Sequence, residues 1–150
     1  MLLEKDLIFI NKSFENRNKI FEYLNSVLLE KKYVKDSFLD GIIKREENYP
    51  TGLQTPVCGI AIPHTDSEHI NEEKLVILTL DEPVEFENMD GSSNVDVKIV
   101  IMMLIKGGDN QIYMLQRLFS MFLENNKIEI IKNATNKEDV IGIMNEEGIF

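Results

Sequence analysis

The sequence predicts an α/β fold, a single mixed β-sheet with α-helices on both of its faces. Two observations carry this. Segments whose apolar residues recur at helical spacing alternate in part with short apolar runs of strand length. The run Val95–Lys106 is also nearly continuous in Val, Ile, Met and Leu, which suits a central strand covered on both sides rather than one with a wet face. A chain of 150 residues is long enough to bury a core of its own.

Leu7–Ile10 reads as the first strand. From Phe14 to Lys32, Ile20, Leu24, Val27 and Leu28 form a helical stripe, with Ser13 as the expected N-cap. Asp36–Tyr49 repeats the pattern through Phe38, Leu39, Ile42 and Ile43; Pro50 and Gly52 stop it, and Arg45 falls in its last turn. Residues Pro50–Cys58 read as a loop. Strands are expected at Gly59–Ile62, Lys74–Leu80 and Val95–Lys106, with a small separate strand at Val84–Phe86 between two turns. Gly107-Gly108 ends the long strand, and Asp109 is the expected cap of a helix that carries Ile112, Leu115, Leu118, Phe119 and Phe122. A short helix near Ile128–Lys132 and a last one at Lys137–Glu147, capped by Asn136, complete the chain. With no repeat, low-complexity tract or linker, residues 1–150 are expected to form one domain. Met102, Met103, Met114 and Met121 read as core filler.

Sixteen Lys+Arg against 26 Asp+Glu give a net charge of −10 with no clustered basic face, which argues against nucleic acid. The acidity serves solubility, or forms a rim that steers a basic protein partner. Cys58 is the one cysteine, so no internal disulfide can form and a reducing cytoplasm is expected; the thiol reads as a small buried hydrophobe. The N-terminus has no apolar stretch of signal-peptide type, and the longest apolar run, Ile99–Ile105, is too short to span a bilayer.

The chemistry concentrates at Gly59-Ile-Ala-Ile-Pro-His-Thr-Asp66, where an apolar run delivers His64 into a corner stiffened by Pro63. Three readings of His64 compete. It can be a hydrogen-bonded structural residue at a strand end. It can belong to a metal site with Asp66, Glu68 and His69, although the chain holds only two histidines and His69 is followed by what reads as a solvated turn. Or its neutral ring can accept a phosphoryl group and hand it on. That third chemistry needs an exposed rigid imidazole, a guanidinium and nearby donors, which Arg45, Thr51, Thr55 and the backbone N–H groups of the loop can supply. There is no Gly-x-x-x-x-Gly-Lys cradle for a nucleotide, so the phosphate would arrive on another protein, and no cofactor or metal is expected.

Arg45-Glu-Glu-Asn-Tyr-Pro-Thr-Gly followed by Gly59-Ile-Ala-Ile-Pro-His64 resembles the EIIA component of the fructose/mannitol class (type 2) of the bacterial phosphotransferase system (PTS). The loop Thr-Gly-Leu-Gln-Thr-Pro resembles the galactitol-type branch in particular. The resemblance runs over essentially the whole chain. It implies a cytoplasmic, monomeric carrier, phosphorylated on His64 by the phosphocarrier protein HPr. The group would pass to a cysteine of a cognate EIIB, which serves sugar entry through a membrane EIIC. It further implies that Arg45 holds the phosphoryl group, that Nε2 carries it, and that a backbone carbonyl fixes Nδ1. Many relatives have a second histidine near the start of the helix after the central strand, and here Gln111 occupies that place; glutamine can donate a hydrogen bond to phosphate but carries neither charge nor proton. A regulatory EIIA-like protein of the nitrogen type, signalling through its phosphorylation state, is the alternative.

Overall fold

The structure, a computed structural model, describes residues 1–150. Its elements run β1 (Leu3–Lys12), α1 (Arg17–Glu30), α2 (Phe38–Asn48), β2 (Gly52–Gln54), β3 (Gly59–Ala61), a 3₁₀ turn (Ser67–His69), β4 (Lys74–Glu87), β5 (Asn94–Leu104), α3 (Gly108–Phe122), α4 (Asn125–Asn133) and α5 (Lys137–Glu146). The five strands form one sheet in the order β1-β4-β5-β3-β2. It is mixed: β1 runs parallel to β4 and β3 to β5, while β4–β5 and β2–β3 are antiparallel. The expected fold class is therefore the observed one.

The period-two geometry of β5 explains its unbroken apolar sequence. Ile99, Ile101 and Met103 face the core closed by α3, α4 and α5, whereas Val100, Met102 and Leu104 face the core closed by α1 and α2. All six are fully buried. Such a strand is a rigid support, and its end carries the segment that holds His64.

Several features differ from the sequence expectations: Pro50–Cys58, expected as a loop, carries the short strand β2, which pairs antiparallel with β3 and closes the sheet's other edge. The first strand is longer than Leu7–Ile10 because its N-terminal half, Glu4-Lys5-Asp6, is an edge with charged side chains that hide the strand pattern. That edge is anchored from within the sheet. The Lys74 ammonium, 7% exposed, donates to the Met1 carbonyl (2.8 Å) and to Glu4 (2.7 Å) and lies 4.9 Å from the centre of the Tyr33 ring. Tyr33 donates its hydroxyl proton to the same carboxylate, which pushes the phenol up to about 12. The cap of α1 is Asn16, not Ser13: its extended backbone lets the side chain accept from Lys19 N–H at 3.0 Å. Gly107, at φ +84°, precedes α3 where Asp109 was expected as the cap, and Asp109 instead sits in the first turn beside the helix's positive pole. The separate strand at Val84–Phe86 is the second half of β4, whose register against β5 shifts between Thr79 and Val84; the irregularity accommodates Pro83, which has no N–H to pair. Asn136 caps α5 as expected, accepting from Asp139 N–H at 3.0 Å.

Gly59 shows why the apolar run leading to His64 begins with a glycine. β3 lies so close to β5 that a Cβ at this position would collide with the Asp96 carbonyl oxygen and come within 2.6 Å of Val95 Cγ1. Gly59→Ala is expected to lower unfolding stability by about 3 kcal/mol in urea titrations, since backbone cannot yield as a side chain can.

Candidate functional site

His64 is placed by β5. Beyond β3 the chain continues as an isolated bridge beside Met103, whose N–H donates to the Pro63 carbonyl at 3.0 Å. Pro63 has no N–H, so this carbonyl is its one backbone tie, and it clamps the corner to the central strand. The imidazole then folds back on its own backbone, with Nδ1 2.9 Å from the Ile62 carbonyl oxygen. A carbonyl can only accept, so Nδ1 carries the proton and Nε2 is left with its lone pair. Burial pushes the His64 pKa down; the Ile62 bond opposes this, Arg45 adds to it, and Asp66 opposes it. The ring is therefore neutral at pH 7 and nucleophilic at Nε2.

Arg45 reaches the same place from the last turn of α2. Its Nη1 lies 3.3 Å from Asp66 Oδ1, two residues beyond His64, and its guanidinium lies 4.8 Å from the centre of the Tyr49 ring. Arg45 Nε is buried with no hydrogen-bond partner. Asp66 divides two shallow depressions. One, of about 430 Å³, is bordered by Arg45, Lys44, Tyr49 and His69; the other, of about 170 Å³, by Ser67, Gly107, Gly108 and Gln111.

The remaining sequence candidates have other partners. Thr51 is buried, with N–H and hydroxyl both donating to the Glu46 carboxylate, at 2.6 and 2.8 Å. Thr55 is buried too, and its hydroxyl donates to the Cys58 carbonyl at 2.8 Å. Neither hydroxyl proton is free for a phosphate, which removes the expected phosphate contacts of Thr51 and Thr55. Gln111 Nε2 donates to the Thr65 carbonyl at 2.9 Å and to the Ile105 carbonyl at 3.1 Å, which spends both amide protons. Its contact is with the segment behind His64, tying that segment to the end of β5. His69 is not in a solvated turn: its ring packs on Gly41, where a Cβ would lie 2.8 Å from it, and its Nδ1 is 2.8 Å from Ser37 Oγ. No three His, Cys, Asp or Glu side chains converge as metal ligands would. Cys58 is buried, and burial pushes its thiol pKa up, away from reactivity.

Two residues of the site were missed in the sequence. Glu46 is 1% exposed and staples the end of α2 to Thr51, which fixes the turn that carries Arg45. Burial pushes its pKa up while the two Thr51 bonds pull it down. Its spacing from Phe38 and Ile42 on the buried face of α2 was the available signal. Asp66 reads from the sequence only as a candidate metal ligand, and nothing in its spacing reveals the pairing with Arg45.

Residues 1–147 match the family described as phosphoenolpyruvate-dependent sugar phosphotransferase system, EIIA 2. The chain belongs to this family. Its members are phosphotransferase components that carry phosphoryl groups from HPr to EIIB. The chain is 27% identical over 119 residues to the galactitol-specific EIIA component of Escherichia coli K12, covering 79% of each protein. It is 33% identical over 114 residues to the transcriptional regulator ManR of Bacillus subtilis, covering 76% of this chain and 16% of the regulator. In fold it matches the mannitol enzyme IIA solved in complex with phosphorylated enzyme IIB from Escherichia coli, with a TM-score of 0.78 at 16% identity over 97% of this chain and 99% of that one. No helix is long and apolar enough to cross a membrane.

In an NMR titration His64 is expected to take up its proton below the ordinary imidazole value of about 6.5. Arg45→Gln should move that midpoint upward, because one of the downward causes is removed. The unfolded chain binds a proton that the folded ring refuses, so the His64 contribution to stability is present above the ordinary value and is lost as the pH falls toward the depressed one.

Proposed function

We propose that this chain is the cytoplasmic EIIA carrier of a sugar or sugar-alcohol system of galactitol-like type, and that His64 Nε2 carries the phosphoryl group. The observation that supports this most is the bond between His64 Nδ1–H and the Ile62 carbonyl, which leaves Nε2 as the one unprotonated ring nitrogen. The Nε2 lone pair attacks the phosphorus of the phosphoimidazolium on HPr. As the P–Nε2 bond forms, the P–N bond to the donor breaks and its electron pair returns to the donor ring, which leaves as neutral imidazole. His64 keeps its Nδ1 proton throughout, so no proton has to move. In the second transfer a cysteine thiolate of EIIB attacks phosphorus and the pair returns to Nε2. Each step asks the protein for alignment and charge stabilisation and little else. Arg45 is the cation that supplies the stabilisation.

The docking face is α3, which leaves the end of β5 next to His64. Ile112, Phe119 and Leu123 recur on one side of it and are 56%, 37% and 86% exposed. Phe119 and Leu123 line an apolar cleft of about 210 Å³ together with Leu53 and Pro56. An exposed apolar stripe within a strongly acidic surface suits a transient basic partner that must approach the imidazole closely. The similarity to a transcriptional regulator supports a second reading, in which the phosphorylation state of His64 is itself the signal.

Incubation with phosphoenolpyruvate, enzyme I and HPr is expected to add one acid-labile phosphoryl group, absent in His64→Gln; labelling that persists in the variant would contradict the assignment. For Arg45→Ala, rapid-quench assays should show transfer slower by on the order of 10²-fold, the usual loss when one stabiliser of developing charge is removed.

A further inference from the structure

The Arg45–Asp66 pair is exposed and loosely held. The guanidinium side chain is 33% exposed and the carboxylate 70%, the contact is a single 3.3 Å approach rather than a two-pronged one, and Arg45 Nε has no partner. The same guanidinium is the cation whose charge acts on the His64 ring, and so the one best placed to serve a phosphoryl group there. Asp66 is two residues from His64, close enough that its charge acts on the ring. A phosphoryl dianion on Nε2 and the Asp66 carboxylate would therefore compete for one guanidinium and repel each other.

We propose that Asp66 is the resting counter-ion of Arg45: it holds the guanidinium while His64 is unmodified, yields it when the phosphoryl group arrives, and so keeps the P–N bond ready to be passed on. This rests on the reading of His64 as a phosphoryl carrier. The role follows from a difference between two states. In the unmodified protein Asp66 and Arg45 neutralise each other. In the phosphorylated protein Arg45 serves phosphate and Asp66 is left unpaired beside a like charge. The pair thus stabilises the unmodified state alone and raises the phosphorylated state relative to it. Asp66 touches no reacting atom and is a positioning residue that works through Arg45. Tyr49, stacked on the guanidinium, keeps the side chain beside the site in either state.

The test is an equilibrium measurement. Equimolar protein and phosphorylated HPr are mixed, allowed to exchange, and quenched, and the ratio of the two phosphoproteins is read by intact mass under non-acidic conditions. Asp66→Asn is expected to shift the ratio about fivefold toward this protein, the scale of one exposed ion pair. Asp66→Glu should restore a ratio near the wild-type one, which a merely structural role would not require. In an Arg45→Gln background the Asp66→Asn shift should shrink to the part that comes from direct repulsion between carboxylate and phosphate. A wild-type ratio in Asp66→Asn, or an undiminished shift in the Arg45→Gln background, would overturn the proposal while leaving the carrier reading intact. A wild-type protein that takes no phosphoryl group at all would overturn both.

Discussion

The hydrogen bond from His64 Nδ1–H to the Ile62 carbonyl is the constraint on which the site depends. A free imidazole exchanges its proton between two nitrogens, and either can be the nucleophile. Here a carbonyl two residues upstream removes the choice. That carbonyl is itself immobile, because Ile62 is buried and the next one, Pro63, is clamped to Met103 of the central strand. The chain of cause runs from a strand buried on both faces, through a proline corner, to the protonation state of one ring nitrogen.

Electrostatics then decide how the site is used. A protein of net charge −10 is a poor host for a phosphoryl dianion, and in the proposed carrier role Arg45 is the cation that offsets this at His64. Desolvation keeps the imidazole neutral, which nucleophilic attack requires, and the neighbouring guanidinium works in the same direction. The strength of the Arg45–Asp66 contact matters for what it permits. A pair this exposed is worth at most about 1 kcal/mol, so a phosphoryl group can displace it, whereas a buried pair of several kcal/mol would lock the cation away. Glu46 is the opposite case: enclosed and doubly bonded to Thr51, it fixes the turn that Arg45 leaves from, without taking part in the exchange.

Much of this was legible in the sequence wherever a residue's role is set by near neighbours. The unbroken apolar run of β5 announced a strand covered on both faces, and Gly59–His64 announced a histidine held on a rigid corner. Arg45 was placed correctly in the last turn of α2. Features set by distant partners were not legible. The charged half of β1 is a strand because Lys74 and Tyr33 hold Glu4 from more than twenty-five residues away in the chain. Thr51, Thr55 and Gln111 look like phosphate donors in one dimension, but Glu46, Cys58, Thr65 and Ile105 have claimed their protons. The partner of Asp66 is on another element, 21 residues earlier, and no local pattern encodes it.

The central claim is that Ile62 fixes the His64 tautomer and thereby the nitrogen that is phosphorylated. Long-range ¹H–¹⁵N correlation spectra of the imidazole, recorded at neutral pH before and after phosphorylation, test it directly. The account requires Nδ1 to carry the proton in the unmodified protein and phosphorus to couple to Nε2 afterwards. A resting ring protonated at Nε2, or phosphorus bonded to Nδ1, would contradict it.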